Sequence, residues 1–93
     1  MDISQATEIH PRQLMGVKAY ELWDEMVLYS PVHKMAFSLN SSARAVWDLC
    51  NGKRTLVEIS QELGQRFNSS ESELLSDVKA TVIKLGQLGL LEL

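Results

Sequence analysis

The sequence predicts a small α+β domain, a three-stranded antiparallel meander followed by three helices. Between residues 17 and 39 apolar and polar residues recur with a period near two. After residue 40 the apolar spacing changes to that of a helix, and N-capping residues and glycines divide the remainder into three segments. At 93 residues, with 45% apolar and 23% charged residues, the chain has the length and composition of one globular domain. A core of this size is workable if both tryptophans and the helix stripes are buried.

Residues 1–13 carry little periodicity and include His10-Pro11, so they are expected to be a flexible lead-in to a domain over residues 14–93. Val17, Ala19, Glu21 and Trp23 alternate with Lys18, Tyr20, Leu22 and Asp24, which predicts a first strand. Asp24-Glu25 reads as the tight turn after it. Met26, Val27, Leu28 and Tyr29 form a second strand, apolar on both faces, which Ser30-Pro31 ends because proline has no amide for the ladder. Residues 34–39 alternate strictly, with Met35, Phe37 and Leu39 on one face, and give the third strand.

Asn40-Ser41-Ser42 signals a helix start, and Ala43, Val46, Trp47 and Cys50 fall on one helical stripe. Asn51-Gly52 stops it. Thr55 and Glu58 form a capping box, in which hydroxyl and carboxylate each satisfy an orphan amide. The second helix then buries Leu56, Ile59, Leu63 and Phe67. Ser70 and Glu73 repeat the pattern ahead of a third helix over residues 71–88, with Leu74, Leu75, Val78, Val82, Leu85 and Leu88 as its core stripe. Gly89 ends it, and the last four residues are expected to add a short strand or a docked tail.

Several function classes are disfavoured. A formal charge of -3 gives no overall field for nucleic acid or anionic lipid. One cysteine cannot form an internal disulfide, and with two histidines it makes a structural zinc site improbable, so no metal and no cofactor is expected. Cys50 sits on an apolar stripe, where a thiol is structural and not reactive. The five glycines are scattered, without a phosphate-binding loop. The start lacks a basic region followed by an apolar one, and no run approaches the roughly 18 apolar residues of a membrane span. A non-enzymatic, cytoplasmic domain without membrane contact is the expectation.

Two surfaces stand out as binding candidates. The third strand lies at an edge of the meander and presents unpaired amides and carbonyls, on which an extended peptide can add a strand. Lys34 reads either as a guard of that edge or as part of the site. On the third helix Ile83 lies roughly opposite the core stripe, with Ser76, Lys79, Ala80 and Gln87 near it. The candidate peptide site is therefore Lys34, Met35, Ala36, Phe37, Ser38 and Leu39 on the strand with Ser76, Lys79, Ala80, Ile83 and Gln87 on the helix.

One ordered series of motifs resembles a known family. It comprises Leu39-Asn40, Ala43, Trp47-Asp48-Leu49-Cys50-Asn51-Gly52, Arg54-Thr55-Leu56-Val57-Glu58-Ile59, Asp77-Val78, Leu85 and Leu88-Gly89-Leu90-Leu91. Together these resemble PqqD-like proteins, over about residues 15–93. The resemblance implies a small winged-helix-like domain that binds the leader segment of a ribosomally made, post-translationally modified peptide. In such a domain the leader adds beside the third strand and packs on the third helix, and the precursor is presented to a modifying enzyme, often a radical S-adenosylmethionine protein. The chain departs from the family at Ser30-Pro31-Val32-His33-Lys34, where a Pro-Glu pair is usual, and at Asn51, where Asp is common. These departures bear on the pathway, pyrroloquinoline quinone against lasso or other peptides, and not on the fold. A monomer or weak homodimer is expected, since the strand edge could also pair with its own copy.

Two other classes compete. A winged-helix DNA binder would show clustered basic residues on its recognition helix, but the third helix sets Lys79 and Lys84 against Glu71, Glu73 and Asp77. The other is a purely structural adaptor between two proteins, with no peptide leader.

Overall fold

The computed structural model describes residues 8–67 and 70–93, the side chain of Glu71 excepted. Strands β1 (Arg12–Gln13), β2 (Lys18–Leu22), β3 (Glu25–Ser30) and β4 (Met35–Leu39) precede helices α1 (Ser41–Leu49), α2 (Leu56–Phe67) and α3 (Glu71–Gln87). Strand β5 (Leu91–Glu92) closes the chain. β2, β3 and β4 form the expected antiparallel meander, in that order. The third strand expected from the sequence is β4.

Residues opposed across the ladder share a face. Met26 faces Leu39, and Leu28 faces Phe37. Met26, Leu28 and Leu39 are buried, so this face packs on the helices. The first turn falls one residue earlier than the sequence suggested. Leu22 pairs with Glu25, leaving Trp23-Asp24 as a two-residue loop with Trp23 at φ 57°. In this register Glu21 stands opposite Met26, and its carboxylate pairs with Arg44 of α1. Trp23 is left at the hairpin tip, 101% exposed, so only Trp47 of the two tryptophans enters the core.

The helices start as their caps dictate. The Asn40 side chain accepts from the Ala43 amide at 2.8 Å. Thr55 and Glu58 exchange both bonds of the capping box, at 2.9 and 3.1 Å. Ser70 accepts from the Glu73 amide at 3.4 Å. Val46, Trp47 and Leu49 of α1, Leu56, Ile59 and Leu63 of α2, and Val78, Val82 and Leu85 of α3 meet in one core. Phe67 does not join it: at the last residue of α2 it is 55% exposed.

The first and last strands are tied together. β1 pairs antiparallel with β5, Arg12 opposite Glu92 and Gln13 opposite Leu91. The Gln13 amide donates to the Cys50 carbonyl at 3.1 Å, and the Gly52 amide to the Pro11 carbonyl at 3.0 Å. Arg12 and Glu92 form an ion pair across the two strands. Residues 8–13 of the expected lead-in thus pack where α1 ends and the C-terminal strand returns, while residues 1–7 lie outside the described residues.

Candidate peptide-binding site

β4 is the free edge of the sheet on the side away from β3, and among the described residues nothing pairs with that edge. α3 is tied to the turn that leads into this strand. At one end, the four-residue turn between β3 and β4 is seated on the C-terminus of α3. The buried Ser30 hydroxyl donates to the Gly89 carbonyl at 3.0 Å and accepts from the His33 amide at 3.2 Å. His33 Nε2–H donates to the Gln87 carbonyl at 2.9 Å. Gly89 allows this closeness: at φ +70° it has no Cβ, and one placed there would stand 2.6 Å from Ser30 Oγ.

At the other end, β4 runs through Leu39 into the N-terminus of α1, and there a cavity of about 300 Å³ opens between the three helices. Its floor includes Val46, Leu63 and Val78, all buried. Its rim carries the hydroxyls of Ser41, Ser42 and Thr81 and the carboxylate of Asp77. The volume lies at the lower end of the roughly 300–1,000 Å³ of small-molecule sites, which suits a side chain better than a cofactor.

Of the residues expected to bind, Phe37 is half-buried and Leu39 fully buried on the core face of β4. Met35, Ala36 and Ser38 are exposed, as is Lys34 in the turn at φ 56°. On α3, Ser76, Ala80 and Gln87 are exposed, and Lys79 and Ile83 half-buried. The cavity is lined instead by Leu74, Asp77, Val78 and Thr81 of that helix. At about 100° per residue, Ile83 sits about 160° round the helix from Thr81. Sequence reasoning passed over Asp77 and Thr81 because an acid and a threonine beside a core stripe look like ordinary surface. It also used Ser41 and Ser42 only as helix-start signals, and the turn contact of His33 left no local pattern to find.

No reactive thiol lies here. Cys50 is buried at the end of α1, donates to the Val46 carbonyl at 3.2 Å, and is held as a thiol by burial, which pushes its pKa up to about 12. Among the described residues no group of three or more His, Cys, Asp or Glu converges as a metal site, and no helix is long and apolar enough to cross a membrane.

The model of the family described as coenzyme PQQ synthesis protein D (PqqD) matches residues 25–91, from the first residue of β3 to the first of β5. The chain belongs to the PqqD family. Among solved structures, this PqqD-family chain is similar to the PqqD truncation of Methylobacterium extorquens PqqCD. That protein is described as a functional, stand-alone recognition element for ribosomally synthesized and post-translationally modified peptides. The two share 29% identity and a TM-score of 0.74, covering 89% of this chain and 88% of the other. The same fold occurs in TbiB1 bound to the TbiA(beta) leader peptide, at 20% identity and TM-score 0.77, covering 87% and 94%. It recurs in lasso peptide synthetase B1 complexed with its leader peptide, at 17% identity and TM-score 0.78, covering 90% and 99%. No curated protein sequence matches the chain.

Proposed function

We propose that this PqqD-family chain is a non-catalytic recognition element that binds the leader of a ribosomally made precursor peptide and presents it to a modifying enzyme, of radical S-adenosylmethionine or similar type. The observation that carries the reading is the unpaired edge of β4, with its leading turn tied to α3 through His33 on Gln87 and a cavity between the helices where β4 runs into α1. The relatives support it: one is a recognition element and two are complexes with leader peptides.

A leader lying along residues 34–39 would complete the backbone bonds that β4 leaves open. That pairing tolerates sequence, while alternate side chains enter pockets and select. Ordering a disordered leader costs about 2–5 kcal/mol, and micromolar affinity needs about 8 kcal/mol net, so a few anchoring side chains must supply the difference. On α3, Ala80 and Gln87 flank the groove beside the cavity face. Ser76, Lys79 and Ile83 lie farther round, where a peptide continuing across the helix would meet them. Holding the precursor beside its enzyme raises the effective concentration of the segment to be modified.

The test is a backbone amide NMR titration with the leader of a short precursor encoded next to this chain. Shifts centred on residues 34–39 and on α3 between 77 and 87 are expected. An unchanged spectrum at saturating leader, with the modifying enzyme also present, would remove the reading. Ile83→Asp in the same titration reports whether the far face of α3 is used, by the loss or persistence of shifts there.

A further inference from the structure

We propose that the cavity at the end of β4 is a selectivity pocket for one lysine or arginine side chain of the bound peptide, its aliphatic stem on the apolar floor and its cationic head at Asp77. This inference rests on the strand-addition reading above and specifies what the peptide must carry.

Position comes first. The cavity begins where β4 ends: Leu39, Asn40 and Ser41 are consecutive, Leu39 lies on the core face of the sheet, and Ser41 is on the cavity rim. A strand added to β4 places one side chain beside Leu39 on that same face, because opposed residues share a face. That side chain points to the helices and meets the mouth between Ser41 and Thr81.

Chemistry selects the occupant. The floor of Val46, Leu63 and Val78 offers only apolar contact, which an aliphatic stem satisfies while its charged head stays at the wet rim. Among the described residues Asp77 is the only charged one lining the cavity, it is exposed, and no cation pairs with it. The nearest basic residue on α2, Arg66, is held by Glu62 at 3.4 Å. On α3, Glu73 lies one turn from Asp77 on the same side and adds to the negative potential. The hydroxyls of Ser41, Ser42 and Thr81 are able to accept hydrogen bonds from such a head. An acidic side chain would face the Asp77 carboxylate, and a purely apolar one leaves that carboxylate unused.

The test uses random short peptides displayed on mRNA and selected on the intact chain, so no natural leader is needed. Selected peptides are expected to shift the amides of residues 34–39 and to share a lysine or arginine at one place. Replacing that residue by norleucine, which keeps the stem, is expected to weaken binding about two- to fivefold. The same replacement is expected to cost nothing on Asp77→Asn, the non-additivity that marks a direct pair. Peptides that shift residues 34–39 but show no basic position, or an aromatic one, or an equal norleucine cost on both proteins, overturn the pocket assignment and leave strand addition standing. Selected peptides that leave residues 34–39 unmoved overturn both.

Discussion

Gly89→Ala isolates the contact that seats the β3–β4 turn on the end of α3. Gly89 is buried at φ +70° directly after the α3 cap, and its carbonyl accepts the Ser30 hydroxyl. An alanine Cβ there would stand 2.6 Å from Ser30 Oγ, 2.9 Å from Val32 Cβ and 3.0 Å from His33 Cδ2. Two costs add: about 1–2 kcal/mol for a left-handed residue with a side chain, and about 1–3 kcal/mol for forcing a methyl into a packed site. The expected loss is about 2–5 kcal/mol, a large share of the roughly 5–15 kcal/mol that holds a domain together. Gly52→Ala is the matched control. It carries similar backbone strain at φ +81°, but its Cβ would come no closer than 3.2 Å to any neighbour, the Arg12 side chain, against 2.6 Å at Gly89. Urea unfolding followed by the emission of buried Trp47 reads both. Gly89→Ala is expected to cost more than Gly52→Ala by the overpacking term. Equal midpoints would refute the close seating of the β3–β4 turn on α3, and with it the groove geometry at that end.

Further outcomes are expected at three other residues. Trp47→Ala, at a side chain 4% exposed in the core, is expected to cost about 3–5 kcal/mol through the cavity it leaves; thermal unfolding that barely moves would place the indole outside the core. Cys50 is expected to resist iodoacetamide at mildly alkaline pH in the native protein and to react once unfolded, as mass spectrometry would show. Its raised pKa also makes its stability contribution complete below the ordinary thiol range and lost as pH rises above it. Glu58 is held below its ordinary value of 4.5, first by the Thr55 amide and then by the Thr55 hydroxyl. Its contribution is present above that value and disappears as pH falls through the lowered one, so Glu58→Gln is expected to flatten the acid limb of the stability profile. Parallel acid limbs would show that the capping box contributes nothing to it.

Much of the fold was legible from the chain alone, and the reason is locality. Asn40, Thr55 and Ser70 announce three helices because a cap bonds an amide within three residues. The stripes Leu56-Ile59-Leu63 and Val78-Val82-Leu85 reveal their buried faces because helical geometry repeats every 3.6 residues. Alternation likewise exposed β4 and its place at an edge. Trp23 was misjudged because an indole looks like core until the hairpin register is known, and the register rests on Met26 and Leu28 facing the helices and on Glu21 meeting Arg44. β1 escaped notice because two residues have no period, and their pairing with β5 spans the whole chain. The candidate site divides the same way. Its strand was readable from β4 itself. On α3 the sequence pointed to Ser76, Lys79, Ala80, Ile83 and Gln87, but not to the cavity, whose rim joins Ser41 to Asp77 and Thr81 across elements. Such contacts are set by packing between segments distant in sequence, and no local pattern encodes them.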